Sequence, residues 1–459
     1  MKLIYNVDDK PKFGQLVIFA IQQLLAIMAA TLVVPIIINS NTGSEMSSAA
    51  ALFGAGAGTL VYVLFTKRKS PVFLGSSFAF IGSMTAAVAG AASMAAGYAG
   101  MIVGAIFAGL VYVIIALVVK LVGVKWIDKL MPPIVIGPTV AIIGLSLAGN
   151  AVGDILKGNV AGAEGAQLAA PIVCLICGLV TLFTTMACST YGKKMARLIP
   201  FIIGILAGYA VALVLTLIGN AAGIDAIKVL NFDAFKALVA NGVTLKTFVS
   251  LPDFTFFTAS KGLSVIDGSY LATVAVAYIP VAFVVFAEHL ADHKNISSII
   301  EKDLLEEPGL HRTLLGDGIG SMVGALFGGC PNTTYGESVG CVAITRNASV
   351  ATIIAAAVGA ILVSFVSPFI AFVNSIPSCV MGGVCMALYG FIAVSGLRMF
   401  KDFDLDDNRN LFVVSAILIA GIGGLSLTFG KITLTSTACA LILGILTNLI
   451  LSRKKSNNN

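Results

Sequence analysis

Four carboxylates stand where the surrounding sequence is apolar. Glu288 follows the run "YIPVAFVVFA", Asp292 comes one helical turn later, Asp317 sits in "LLGDGIGSMVGAL", and Glu337 lies inside "CPNTTYGESVG", Cys330 to Gly340. A charge at the centre of a bilayer costs roughly 3 kcal/mol even on a lenient scale, so a carboxylate kept there is read as a working group. Such a group can accept hydrogen bonds from N–H donors. Burial disfavours its charged form, so it can also take up a proton. The spacing of four puts Glu288 and Asp292 on one helix face. Glu288 and Glu337 are therefore the first candidates to touch a substrate, with Asp292 in support. For Asp317, nearer a membrane end, a structural and a functional role both stay open.

Glu337 also sits in backbone that does not read as helix. Pro331, three polar residues and Gly336 precede it. "PVFLGSSFAF", from Pro71, is a second segment that opens on proline and carries glycine and hydroxyl residues. Unwound backbone at membrane depth is tolerated only when buried in protein or lining a cavity. Two such breaks in matching places of two halves point to a binding site between them. Freed amides near Ser77, Phe78 and Gly336 are candidates to donate to a ligand, and Gly336 lets the backbone come close to it.

The elements that must hold these groups are membrane helices. Of 459 residues, 58% are hydrophobic and only 11% charged, against about 25% charged in a soluble domain. Hydrophobic runs predict fourteen spans: 15–38, 48–65, 71–91, 97–122, 132–150, 168–188, 199–218, 270–290, 313–328, 331–345, 349–374, 377–397, 411–429 and 433–452. With both termini placed in the cytoplasm, the outer side keeps only Lys157, Lys228, Lys236, Lys246, Lys261 and Lys431 of the 28 Lys and Arg residues, as the positive-inside rule requires. The net charge of +6 thus follows topology, and no nucleic-acid partner is expected. Fourteen spans divide into two inverted sets of seven. "PPIVIGP" at 132–138 and "PSCVMGG" at 377–383 open the fifth span of each half, and the two polar breaks fall in the third. The segment 219–269 is expected to form short surface pieces, and 293–312 to be amphipathic and partly helical.

Other features are read as structural. The N-terminus lacks the pattern of a removable signal peptide. Cys174 and Cys177 form a CxxC inside an apolar helix and are read as small packing residues. "GAGAGT", Gly54 to Thr59, has no preceding strand and suits close helix packing. His289, His293 and His311 fall at the inner edge or in an inner loop, so no metal centre, cofactor or intramembrane enzyme chemistry is expected.

"AEHLADH", "EEPGLHRTLLGDGIGSMVGALFGG", "PNTTYGE" and "TR" resemble the nucleobase–ascorbate transporter family (nucleobase:cation symporters), and within it the uracil-carrying bacterial members. The similarity runs over essentially the whole chain, with "LGSSFAFI" in the third span and "VMGG…LYG" in the twelfth. The resemblance implies an all-α polytopic fold of fourteen spans in two inverted repeats, with short strands in the broken third and tenth. It implies a core domain from residues 1–130 and 270–375 and a gate domain from 131–269 and 376–459. Carried over, the substrate residues are Glu288, Glu337, Phe78, Gly336, Tyr335, Tyr389 and Ser77, and the proton-coupling residues Glu288, Asp292 and Glu337. The implied activity is proton-coupled uracil import across a bacterial cytoplasmic membrane, with dimerisation through the gate. A xanthine or urate permease, or an anion carrier of the same architecture, is the competing reading. Purine-carrying members tend to have Gln at position 337, which favours a pyrimidine. The chain departs from the family at Ser338, where Asn is usual, at Gln23 in a Gln-His pair, and at Asp292, where some members have His.

Overall fold

In hydrocarbon a chain must satisfy its own backbone N–H and C=O groups, and this apolar sequence does so mainly as helix. The computed structural model describes all residues except 1–2, 125, 127–129, 163–166, 194, 241, 430–431 and 453–459. Lys431, placed outside above, lies beyond the described residues. The first half contains α1 (Phe13–Thr42), α2 (Ser48–Phe65), strand β1 (Leu74–Ser76), a 3-10 turn (Phe78–Phe80) running into α3 (Ile81–Ala89), α4 (Met94–Val122), the abutting α5 (Pro133–Ser146) and α6 (Ala148–Asp154), α7 (Pro171–Tyr191) and α8 (Pro200–Ala222). The second contains α9 (Gly268–Ile300), α10 (Leu310–Gly328), strand β2 (Asn332–Thr334), α11 (Gly336–Thr345), α12 (Val350–Val363), α13 (Ser367–Ser375), α14 (Ser378–Arg398), α15 (Asn408–Ile422), a hairpin of β3 (Leu427–Phe429) and β4 (Ile432–Leu434), and α16 (Ser436–Ser452). Each of the fourteen predicted spans has a helical counterpart. Among the described residues, eight helical stretches are long and apolar enough to cross a membrane.

Helix starts follow the sequence. Ser47, Ser93 and Asp267 accept from backbone N–H groups of the first turn, and α5, α7 and α8 carry proline there, where its missing N–H costs nothing. Pro132 and Pro377, singled out as a repeat echo, occupy the matching N-cap positions of α5 and α14 with nearly equal backbone angles.

The helices pack in two groups. In one, α10 lies against α2 and α4, α9 against α4, and α12 against α1 and α2. In the other, α14 lies against α5 and α7, α8 against α7, and α15 against α5 and α16. Glycine permits close crossings: a Cβ at Gly58 would stand 2.6 Å from the carbonyl oxygen of Gly320.

Three spans differ from expectation. The eighth was ended at residue 290, but α9 continues to Ile300, burying His293, Ile296 and Ile300; polar residues mark where the apolar run ends, not where a helix must. The eleventh breaks into α12 and α13, because Pro368 restarts a helix in its first turn. The thirteenth stops at Ile422, before Gly423 and Gly424, and the hairpin that follows was not expected. The segment 219–269 does form short helical pieces, anchored where Ser250 donates its backbone N–H to Phe365 O.

Candidate functional site

The two polar breaks meet. β1 and β2 pair antiparallel, Leu74 opposite Thr334, Gly75 opposite Thr333 and Ser76 opposite Asn332, and Ser77 N donates to Pro331 O at 2.9 Å. Proline and glycine disfavour helix in both segments, and the strands satisfy one another's backbone instead. The pair is fastened from every side. Leu74 N donates to Thr59 Oγ1 at 2.9 Å, and Asn332 Nδ2 to Gly54 O at 2.9 Å. Phe73 N donates to Ser338 Oγ, which also receives Gln23 Nε2 at 2.6 Å. Two departures from the family pattern, Gln23 and Ser338, thus bond directly to each other.

A helix begins immediately after each strand, at Phe78 and at Gly336. Neither N-cap residue, Ser77 nor Tyr335, caps its helix with a side chain. The N–H groups of each first turn are thus not taken up by an N-cap side chain. Gly336 is exposed, and a Cβ built on it would meet only Asp292 Oδ1, at 3.8 Å. Open space thus lies beside the start of α11.

Of the expected carboxylates, Asp292 stands at that space. Glu288, Asp292 and Glu337 are each partly exposed and within electrostatic reach of one another. Thr334 Oγ1 donates to Asp292 Oδ2 at 2.9 Å, tying α9 to β2. Phe78 and Tyr389, both buried, meet edge to face with ring centres 6.0 Å apart, joining the two helix groups. Ser77 is buried, and its hydroxyl has no hydrogen-bond partner among the described residues. Tyr335 faces the other way: its hydroxyl donates to Ser76 O at 2.6 Å, and its ring fills the space beside Gly75. It holds β1 in place.

Asp317 and the histidines form a second, dry cluster. His289 and His293, placed above at an edge or in a loop, are wholly buried along α9. His289 Nδ1 lies 2.6 Å from Asp317 Oδ2 and its Nε2 3.0 Å from Thr313 Oγ1. His293 Nδ1 donates to His289 O at 2.8 Å, which leaves Nε2 of the neutral ring to accept from Tyr62 OH, 2.7 Å away. The two rings stack with centres 4.0 Å apart. The signal was present in "EHLADH": each histidine follows an acid by one residue, so a four-residue period carries two stripes about 100° apart. Elsewhere the CxxC has company, because Cys379 brings its thiol within hydrogen-bonding reach of Cys174 and Cys177.

Comparison with known proteins shows the family and the fold. Residues 14–429 match a family described as "Permease family", the xanthine/uracil permeases. The chain is 38% identical to the uracil permease of Bacillus caldolyticus, over 98% of this chain and 95% of that one. It is 36% identical to the uracil permease of Bacillus subtilis (strain 168), over 99% and 96%, and 34% identical to that of Escherichia coli (strain K12), over 97% and 93%. In fold it resembles the transmembrane domain of the cyanobacterial bicarbonate transporter BicA, with a TM-score of 0.61 at 15% identity over 96% of this chain and 99% of that one. It also resembles the murine anion transporter Slc26a9, with a TM-score of 0.66 at 10% identity over 98% and 69%.

Proposed function

The chain belongs to the Permease family of nucleobase–ascorbate transporters, and from that membership we propose that it imports uracil together with a proton. The observation that carries this reading is the open space beside Gly336 at the start of α11, next to Asp292, with Glu288 and Glu337 partly exposed and within electrostatic reach of Asp292. Uracil is flat, with two N–H donors and two carbonyl acceptors. The carboxylates accept from the N–H groups, and the backbone amides near Phe78 and Gly336 donate to the carbonyls. The aromatic side chains of Phe78 and Tyr389 cover a ring face. The similarity to two Bacillus uracil permeases supports the pyrimidine, as does a glutamate at position 337.

Coupling follows from charge. A site that holds several carboxylates resists moving through an apolar seam while charged. Proton uptake on Glu288 neutralises part of it, and the loaded group of residues 1–130 and 270–375 then shifts against 131–269 and 376–459. Asp292, bonded to Thr334, holds the spacing between α9 and β2 during that shift.

The test is uptake of labelled uracil into proteoliposomes, with and without an imposed pH gradient, in competition with xanthine. Uracil should accumulate only with the gradient, and xanthine should compete poorly. Glu288→Gln should abolish accumulation while leaving some exchange. Accumulation by that variant under a pH gradient alone would place the coupling elsewhere, and preferential uptake of xanthine would overturn the substrate.

A further inference from the structure

We propose that a phospholipid acyl chain occupies a separate apolar cavity at the seam between the two helix groups. The cavity has a volume of about 160 Å³ and lies between α1, α8, α13 and α14. Met28 and Leu32 of α1, Ile205 and Leu206 of α8, Phe372 of α13 and Met381 of α14 form most of its wall, and every residue lining it is apolar. A water molecule there would find no polar partner, and a buried water needs two to four of them. If nothing fills it, the wall atoms forgo dispersion contacts across the gap.

The position of the cavity identifies its occupant. Helices α1 and α8 are both long and apolar enough to cross the membrane, so their outward faces meet hydrocarbon. Leu206 lines the cavity and is also 49% exposed, so the cavity reaches that lipid-facing surface. At the other end Ile36, Val373, Ile376 and Met381 form a wall shared with a polar cavity of about 610 Å³ that contains Asn39 and Asn159. The apolar space thus reaches an exposed leucine of a membrane helix and shares one wall with the polar side. At interior packing density it takes roughly five or six methylene groups, a segment of an acyl chain. Because its walls come from both helix groups, a chain seated there bridges them.

The experiment uses the full chain in phosphatidylethanolamine–phosphatidylglycerol vesicles containing a trace of phosphatidylglycerol with a photoactivatable diazirine midway along one acyl chain. Illumination followed by peptide mapping should place label on Leu32 and Ile205, which are 7% and 5% exposed and beyond reach of a lipid lying on the surface. Ala29, in the cavity wall, is the place to fill it. Ala29→Phe should lower the label on Leu32 and Ile205 by about fivefold through steric exclusion. Label on Ile172 and Phe183, exposed on α7, should not change. Should Ala29→Phe fail to give a monodisperse protein, Ala29→Leu is read in the same way. Label confined to Ile172, Phe183 and Leu206, or label on Leu32 and Ile205 indifferent to filling the cavity, overturns the assignment. The readout needs no substrate, so its failure is distinct from a failure of uracil transport.

Discussion

Helix α9 presents two faces of opposite character within one turn. Glu288 and Asp292 are partly exposed, while His289 and His293, each one residue further on, are wholly buried against α2 and α10 through Tyr62, Thr313 and Asp317. Residue type alone does not explain the contrast, since all four are titratable. The environment decides. On the dry face each nitrogen has a fixed partner, and a polar group buried without one is costly. On the open face Asp292 accepts from Thr334, and the carboxylates keep accepting capacity for a ligand. A substitution on the dry face should therefore act on stability, and one on the open face on binding.

The largest effect expected is on the dry face. Asp317→Ala leaves His289 Nδ1 unpartnered in a buried site and opens a void beside it, at a combined cost of about 3–5 kcal/mol. Thermal unfolding of the purified protein should show a marked drop in Tm. An Asp317→Ala protein as stable as the parent would break the comparison, because the dry face would then hold nothing.

Next comes the open space. Gly336→Val places its Cβ where nothing but Asp292 Oδ1 stands within 4 Å, so packing should survive and Tm stay close to that of the parent. Uracil affinity should fall by about 100-fold or more, because the added methyl groups fill the space a ligand needs. Normal binding by a monodisperse variant would mean that the site lies away from this stretch.

Glu337→Gln sharpens the comparison on the same face. An amide oxygen still accepts a hydrogen bond but is uncharged, so loss of the charge-assisted bond should weaken uracil binding by about 1–3 kcal/mol with little change in Tm. Titration calorimetry on the purified variant reads this directly, and unchanged affinity would remove Glu337 from the site.

The smallest effect belongs to Tyr335, which the family resemblance assigns to substrate but whose hydroxyl is committed to Ser76 O. Tyr335→Phe should cost about 1 kcal/mol of stability and change affinity only through the set of β1. A large loss of affinity without loss of stability would return the hydroxyl to the ligand.

The membrane class, the helical elements, the two broken spans and the carboxylates in apolar runs are all legible in the order of residues along the chain. Each of these is a local property, legible because lipid penalises polarity and unpaired backbone residue by residue. Tertiary structure alone decided what those pieces do together. Ser76 and Tyr335 bond across 259 residues of chain, and no local pattern specifies such a pairing. It also decided which stripe of α9 meets open space and which meets α10, because a helix apolar nearly all round has no moment to aim it. It brought Gln23 to Ser338 and Cys379 to the CxxC. Close approach of distant helices creates these contacts, and small residues such as Gly58 and Gly320 permit that approach without announcing in the sequence which partner they will meet.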